Sequence, residues 1–165
     1  MKLRQTFLQR LKQFYSALTA SVTESDLAFI QKNLSKQEQA LFFQMDVVDQ
    51  RHALDVAGYA YQAATARGLG SKRKVLVKAA LLHDIGKVRG ELTLLTRLAF
   101  VLCPALVAKY RKKAWKSLKE HASRGAHMAE TFGVEKEVVD LIREHHNQEA
   151  SSESLEVLQE ADALL

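Results

Sequence analysis

Apolar residues recur along this chain at intervals of three and four, the spacing of one helix face, and the strict alternation of strands is missing. Leu3, Phe7, Leu11, Phe14 and Leu18 make such a stripe in the first twenty residues. With no continuous apolar run, that stretch reads as an amphipathic helix and not as a targeting signal. Thr23 and Asp26 are placed as a capping box, Asp standing in for the usual Glu. Ser35 opens a helix to about Met45 through "QALFFQM", and another runs from about Val47 to Arg67. That one stops at "GLGS", whose glycines can take positive φ. Ser71 starts the helix that carries "AALLHDIGKVRG", residues 79–90. A mostly apolar segment follows over 92–110, with the only proline, Pro104, inside it. Helices at about 115–132, 135–147 and 152–165 complete the pattern, with Gly133 ending the first of the three. The expectation is an all-α protein: one helical bundle over 46–165, with a helical extension over 1–45 packed on it.

Composition narrows the class. A chain of 165 residues, 47% hydrophobic and 26% charged, supports one domain with a proper core. The lone cysteine, Cys103, has no partner for an internal disulfide, which suits a reducing, cytoplasmic setting. The net charge of +5 is uneven. Residues 1–20 carry four basic side chains and no acid, and a second basic cluster lies in "KYRKKAWKSLK", 109–119. Such patches attract phosphorylated partners or anionic lipid, and they are also what a solvated helix face looks like.

Several apolar faces carry an ionisable residue. His52 shares a stripe with Val48, Val56 and Tyr59 or Ala60. His83 and Asp84 follow Leu76 and Ala80, with Lys87 one turn on. His121 sits with Leu118, Gly125, Met128 and Phe132; His145 sits with Val138 and Ile142, and His146 borders the same face. Asp162 lies among Leu155, Leu158 and Leu165. A carboxylate buried there must be neutralised, paired or bound to a cation. Each residue taken singly has an ordinary reading, a hydrogen-bonded core histidine or an Asp paired with Lys or Arg. Five helices each turning imidazole or carboxylate toward the core change the odds. If they converge, the cluster is of the kind that binds Mn, Fe, Zn, Ni, Co or Mg ions. His127, six residues from His121, points about 120° away and is not expected to join it.

The ordered set resembles the HD-domain superfamily of metal-dependent phosphohydrolases. The family pattern is a His on one helix, a His-Asp doublet on the next, one or two further histidines and a late Asp. Here those are His52 in "DQRHALDVA", His83 and Asp84 in "LLHDIGK", His121 in "KEHASRGAHMAE", His145 and His146 in "IREHHN", and Asp162 in "EADALL". The resemblance implies that His52, His83, Asp84 and Asp162 hold one divalent ion. Asp84 would bridge to a second held by His121 and His145, with His146 as an alternative ligand or a substrate contact. Capacity for one or two ions follows.

The implied chemistry is hydrolysis of a phosphomonoester or phosphodiester of a nucleotide or similar small compound by metal-activated water. Asp84 would orient the nucleophile and Lys87 would neutralise phosphate charge. Arg51 and Arg124 are further candidates for the substrate, each with a surface salt bridge as its ordinary reading. The Gly-Tyr-Pro segment of the cyclic-di-GMP-hydrolysing subgroup is absent after "HHN". No nucleic-acid polymer is expected as partner. The segment over 92–119 is open to four readings: packing within the fold, a lid, a homodimer contact, or peripheral contact with anionic lipid. Its apolar run is shorter than the ~20 residues a membrane span needs and is interrupted by Arg97. The alternative to an enzyme is a non-catalytic module that binds a metal or ligand for signalling. A purely structural metal is disfavoured, since closed sites of that kind usually rely on several cysteines.

Overall fold

The computed structural model describes residues 20–87, 112–147 and 149–165, with the backbone alone for 112–119. The helix expected over 1–20 and the apolar segment over 92–110 lie outside the described residues, as do Cys103 and Pro104. Helix α1, Glu24–Asn33, starts at the capping box: the Thr23 hydroxyl accepts from the Asp26 amide, and Asp26 Oδ2 accepts from the Thr23 amide at 2.9 Å. Helix α2, Lys36–Phe42, repeats the device with Ser35 and Glu38. It ends three residues short of the expected Met45, in a turn over Phe43 and Gln44.

Helix α3, Val47–Ala66, is closed by a Schellman motif at Gly68, whose φ is +71°. There the Leu69 amide donates to Ala64 O at 2.8 Å. Helix α4, Arg73–Leu82, begins two residues later than Ser71, because Gly70, Ser71 and Lys72 are spent in a turn. Helix α5, Lys112–Thr131, ends in the same motif at Gly133, with φ +74°. Helices α6, Lys136–Glu144, and α7, Glu153–Leu164, complete the order, and Ser152 caps α7 through the Leu155 amide. The described residues contain these seven helices and no strand, so the fold is all-α.

Helix α4 is the centre. Every residue from Leu76 to Gly86 is buried, the signature of a helix enclosed on all sides. Its main partner is α3, which offers the small residues Ala53, Ala57, Ala60 and Ala64, all fully buried. Helix α6 covers another side of α4, α5 packs on α6, and α7 lies against α3. Ile30, Leu34, Leu41, Phe42 and Met45, from α1, α2 and the residues that follow them, enter the same core.

One charge sits inside this packing. Lys78, in the middle of α4, donates to Glu38 Oε1 of α2 at 2.7 Å and to Glu135, at the start of α6, at 2.8 Å. Buried ions are tolerated only when paired. Glu38 and Lys78 satisfy each other and join three helices.

Candidate metal centre

Helices α3, α4, α5, α6 and α7 deliver the donors. His52 lies one and a half turns into α3 and His121 sits in α5. The doublet is not on a helix as the periodicity suggests: α4 ends at Leu82 and residues 83–86 form a turn. The same holds for His145 and His146, which follow the end of α6 at Glu144. His83 and His145 keep helical φ and ψ, and the chain tightens just beyond them, the Ile85 amide donating to Leu82 O at 3.2 Å and the Asn147 amide to Glu144 O at 2.8 Å. Asp162 lies in the last turn of α7. That helix is tied to α3 by Tyr59, whose hydroxyl donates to Glu160 at 2.7 Å, and by an Arg67–Glu160 ion pair. Gln159 donates to Asn147 O at 3.1 Å, holding the loop after His146 against α7.

His83 Nδ1–H donates to Ala80 O at 2.8 Å, and His145 Nδ1–H donates to Ile142 O at 2.6 Å. A carbonyl can only accept, so both rings carry a proton on Nδ1 and aim Nε2 inward. His83 Nε2 is wholly buried and has no hydrogen-bond partner. It stands 3.5 Å from carboxylate oxygens of both Asp84 and Asp162, at the outer limit of bonding distance and without its geometry.

His52 Nε2 meets Asp162 Oδ1 at 3.0 Å, which is the pairing that Asp162 needs among leucines. On the other side, His121 Nε2 lies 3.3 Å from His145 Nε2, 3.1 Å from His146 Nε2 and 3.3 Å from Asp84 Oδ1. Three overlapping groups could therefore hold an ion: His52, His83 and Asp162; His83, Asp84 and His145; and His121, His145 and His146.

These separations bear on fit. Neighbouring ligand atoms about 2.0–2.1 Å from one ion are roughly 2.8–3.4 Å from each other in octahedral or tetrahedral geometry. The donor pairs at 3.0, 3.1 and 3.3 Å fall in that interval. The orphaned Nε2 of His83, held by its backbone bond, is the donor that most needs an ion. The residues fit a divalent cation.

Electrostatics agree. Burial lowers the pKa of His83, but the Asp84 and Asp162 carboxylates outweigh it and raise it to about 9. Burial drives the His145 imidazole down to about 3, helped by the charges of His83 and His146. Burial likewise lowers His146. Against the burial that would raise them, His83 and Lys87 hold Asp84 well below the usual carboxylate range, and His52 and His83 do the same for Asp162. Lys87 is raised despite burial, because Asp84, Asp49 and Asp162 surround it. Its ammonium is bonded to Asp84 Oδ2, with Asp49 Oδ1 3.9 Å away.

The two arginines are placed differently from the donors. Arg51 is shared between Asp26 at 2.8 Å and Asp55 at 2.9 Å, fastening α1 to α3. Arg124 Nε donates to Gly86 O at 2.6 Å, clasping the doublet turn to α5. His127 is exposed on α5. Sequence reasoning missed Asp49, buried one turn before His52 and beside Lys87. Its spacing from His52 is the only signal it leaves in the sequence.

Gly86 was also missed as a packing residue. A Cβ there would lie 2.0 Å from His121 O and 2.6 Å from the Gly125 amide nitrogen. The doublet turn and α5 thus touch backbone to backbone, and that contact sets the Asp84–His121 distance.

Among the described residues no helix is long and apolar enough to cross a membrane. Neither the curated proteins nor the solved structures contain a match to the chain. The model of the HD domain matches residues 50–165, more than two thirds of the sequence and every donor described above. With that match and a convergent set of histidines and aspartates in the expected order, the chain belongs to the HD-domain family.

Proposed function

We propose that this protein is a metal-dependent phosphohydrolase acting on a phosphomonoester or phosphodiester of a nucleotide or related small phosphate compound in the cytoplasm. HD domains are typically metal-dependent hydrolases that bind divalent ions. The observation that carries the reading is the convergence of histidines and aspartates on the buried Nε2 of His83, which has no hydrogen-bond partner and stands 3.5 Å from two carboxylates. A bound divalent ion brings a water pKa near neutrality and charge neutralisation at phosphoryl oxygens.

The chain's own residues supply the rest. His52, His83, Asp84 and Asp162 would hold one ion, and His121, His145 and His146 a second, with Asp84 between them. Lys87, kept protonated by three carboxylates, is a fixed positive charge and not a base. It is assigned to the phosphate, where it offsets charge accumulating on the oxygens. His146, the half-exposed member of the cluster, is the donor that an incoming substrate meets first. Arg51 and Arg124, engaged with Asp26, Asp55 and Gly86 O, are assigned to holding the frame.

The test is turnover by the purified protein, with Mn, Ni or Co, of a chromogenic phosphate ester and a nucleotide panel. Asp84→Ala should abolish both metal content and turnover, and full activity in that variant would refute the proposal. A metal-replete protein that turns over no phosphate ester would instead support the alternative, a signalling module.

A further inference from the structure

Lys87 stands between two carboxylates from distant parts of the chain. Its ammonium is bonded to Asp84 Oδ2, and Asp49 Oδ1, from the first turn of α3, lies 3.9 Å away. The Lys87 amide donates to Asp84 O at 2.9 Å. The base of the side chain is thus fixed to the doublet turn, and only its far end can change partner.

Asp84 Oδ2 is wanted twice. It is the oxygen bonded to Lys87, and it is also the oxygen 3.5 Å from the orphaned Nε2 of His83. A metal ion taken up by His83 and Asp84 would put a second positive charge on the oxygen that the ammonium holds. Water screens the two poorly, since the Asp84 and Lys87 side chains are 1% and 16% exposed. The ammonium must then give way, yet a buried cation without an anion is costly.

Asp49 is the carboxylate already beside it, with a side chain only 4% exposed. Its place in the first turn of α3 sets it against the positive end of the helix dipole, which favours its charge. Asp49 belongs to none of the three groups of described residues that could hold an ion, so loading the centre leaves it available to Lys87.

Resting on the metal-dependent phosphohydrolase reading above, we propose that Asp49 is a positioning residue. It takes the Lys87 ammonium over from Asp84 when the centre is loaded and holds it toward the phosphate. Lys87 is then the countercharge of Asp84 in the metal-free centre and a phosphate contact in the loaded one. An ammonium has three donor hydrogens, enough for Asp49 and a phosphoryl oxygen together.

The probe is inorganic phosphate, titrated by calorimetry into the full chain loaded with Mn2+, with metal content read by elemental analysis. Asp49→Asn keeps the size of the side chain and removes its charge. It should retain the metal of the parent and bind phosphate about 10–100-fold more weakly, the range for losing an outer-shell partner. Lys87→Met should lose affinity to a similar extent, and the two losses should not add. In the Lys87→Met protein, Asp49→Asn should change phosphate affinity by less than about 2-fold, the scatter of independent measurements. An Asp49 that merely braced the fold would exact its cost in either background. Crystals of the loaded parent with phosphate give a check independent of any variant's folding: Lys87 Nζ should lie within hydrogen-bond distance of both Asp49 and the phosphate.

Full phosphate affinity in Asp49→Asn, additive losses in the double variant, or an ammonium still on Asp84 in the loaded crystal would overturn the role of Asp49 and leave the phosphohydrolase reading standing. Loss of metal in Asp49→Asn would make Asp49 a ligand and overturn that role too. A parent protein that takes up no metal would overturn both. One that loads metal without binding phosphate would overturn the assignment of Lys87, and that of Asp49 with it.

Discussion

Replacing Gly86 by alanine tests whether the doublet turn and α5 must touch. The new Cβ would sit 2.0 Å from His121 O, against the 3.4 Å at which ordinary contact begins. The next atoms, the Gly125 nitrogen at 2.6 Å and the His121 carbonyl carbon at 2.8 Å, are also backbone, so no flexible side chain can yield. The turn and α5 would have to part by about 1.4 Å, the shortfall at the closest contact. Overpacking of cores costs about 1–3 kcal/mol and occasionally more, and a rigid backbone contact belongs at the top of that range.

At about 3 kcal/mol the melting temperature should fall by roughly 6–12 °C for a chain of this size. The same displacement opens the 3.3 Å separation of His121 Nε2 and Asp84 Oδ1, so metal should be lost from the imidazole side first. Thermal unfolding and elemental analysis read the two effects together. Gly58→Ala, inside α3 with nothing within 4 Å of its Cβ, is the control and should gain about 0.4–1 kcal/mol. A Gly86→Ala protein that melts like its parent and keeps all its metal would refute the reasoning.

Lys78→Met strands Glu38 in the core and should cost about 3 kcal/mol in urea unfolding, with Glu38→Gln added to Lys78→Met recovering most of it. The Lys78 pKa is raised above 10.5, so its contribution is complete below that pH and fades as pH climbs through the folded value. Glu135 is lowered below 4.5, so its share holds above that pH and fades as pH falls through its folded value. Measured against the Lys78→Met, Glu38→Gln double variant, which holds no stranded carboxylate, the difference should thus be flat between these limits; a difference that peaks inside them would contradict the assignment. At the centre itself, His83 titrates at about 9 in the metal-free protein and carries a proton at neutral pH. An ion taking its Nε2 must displace that proton, so uptake at neutral pH should release about one proton and tighten as pH rises toward 9. Calorimetry in two buffers of different ionisation enthalpy measures the release, and identical heats in both would exclude His83 as a ligand.

The sequence by itself determined the helices, their caps and the identity of the donors. These are local matters: Thr23 with Asp26 and Ser35 with Glu38 act across three residues, Gly68 and Gly133 stop helices by their own backbone freedom, and periodicity shows which face a histidine occupies. Helix ends were less legible. Periodicity runs straight through Leu82 into His83 and through Glu144 into His145, and gives no sign that the chain leaves the helix there. Only the tertiary structure decided which donors share a centre, since His52 and Asp162 are 110 positions apart in the chain and 3.0 Å apart in space. It also decided that Lys87 rests on Asp84 beside Asp49, that Lys78 is neutralised by Glu38 and Glu135, and that Arg51 and Arg124 brace helices. Charge partners are chosen by distance between helices, and that distance is set by packing, as at Gly86 where one hydrogen atom in place of a methyl group lets Asp84 reach His121.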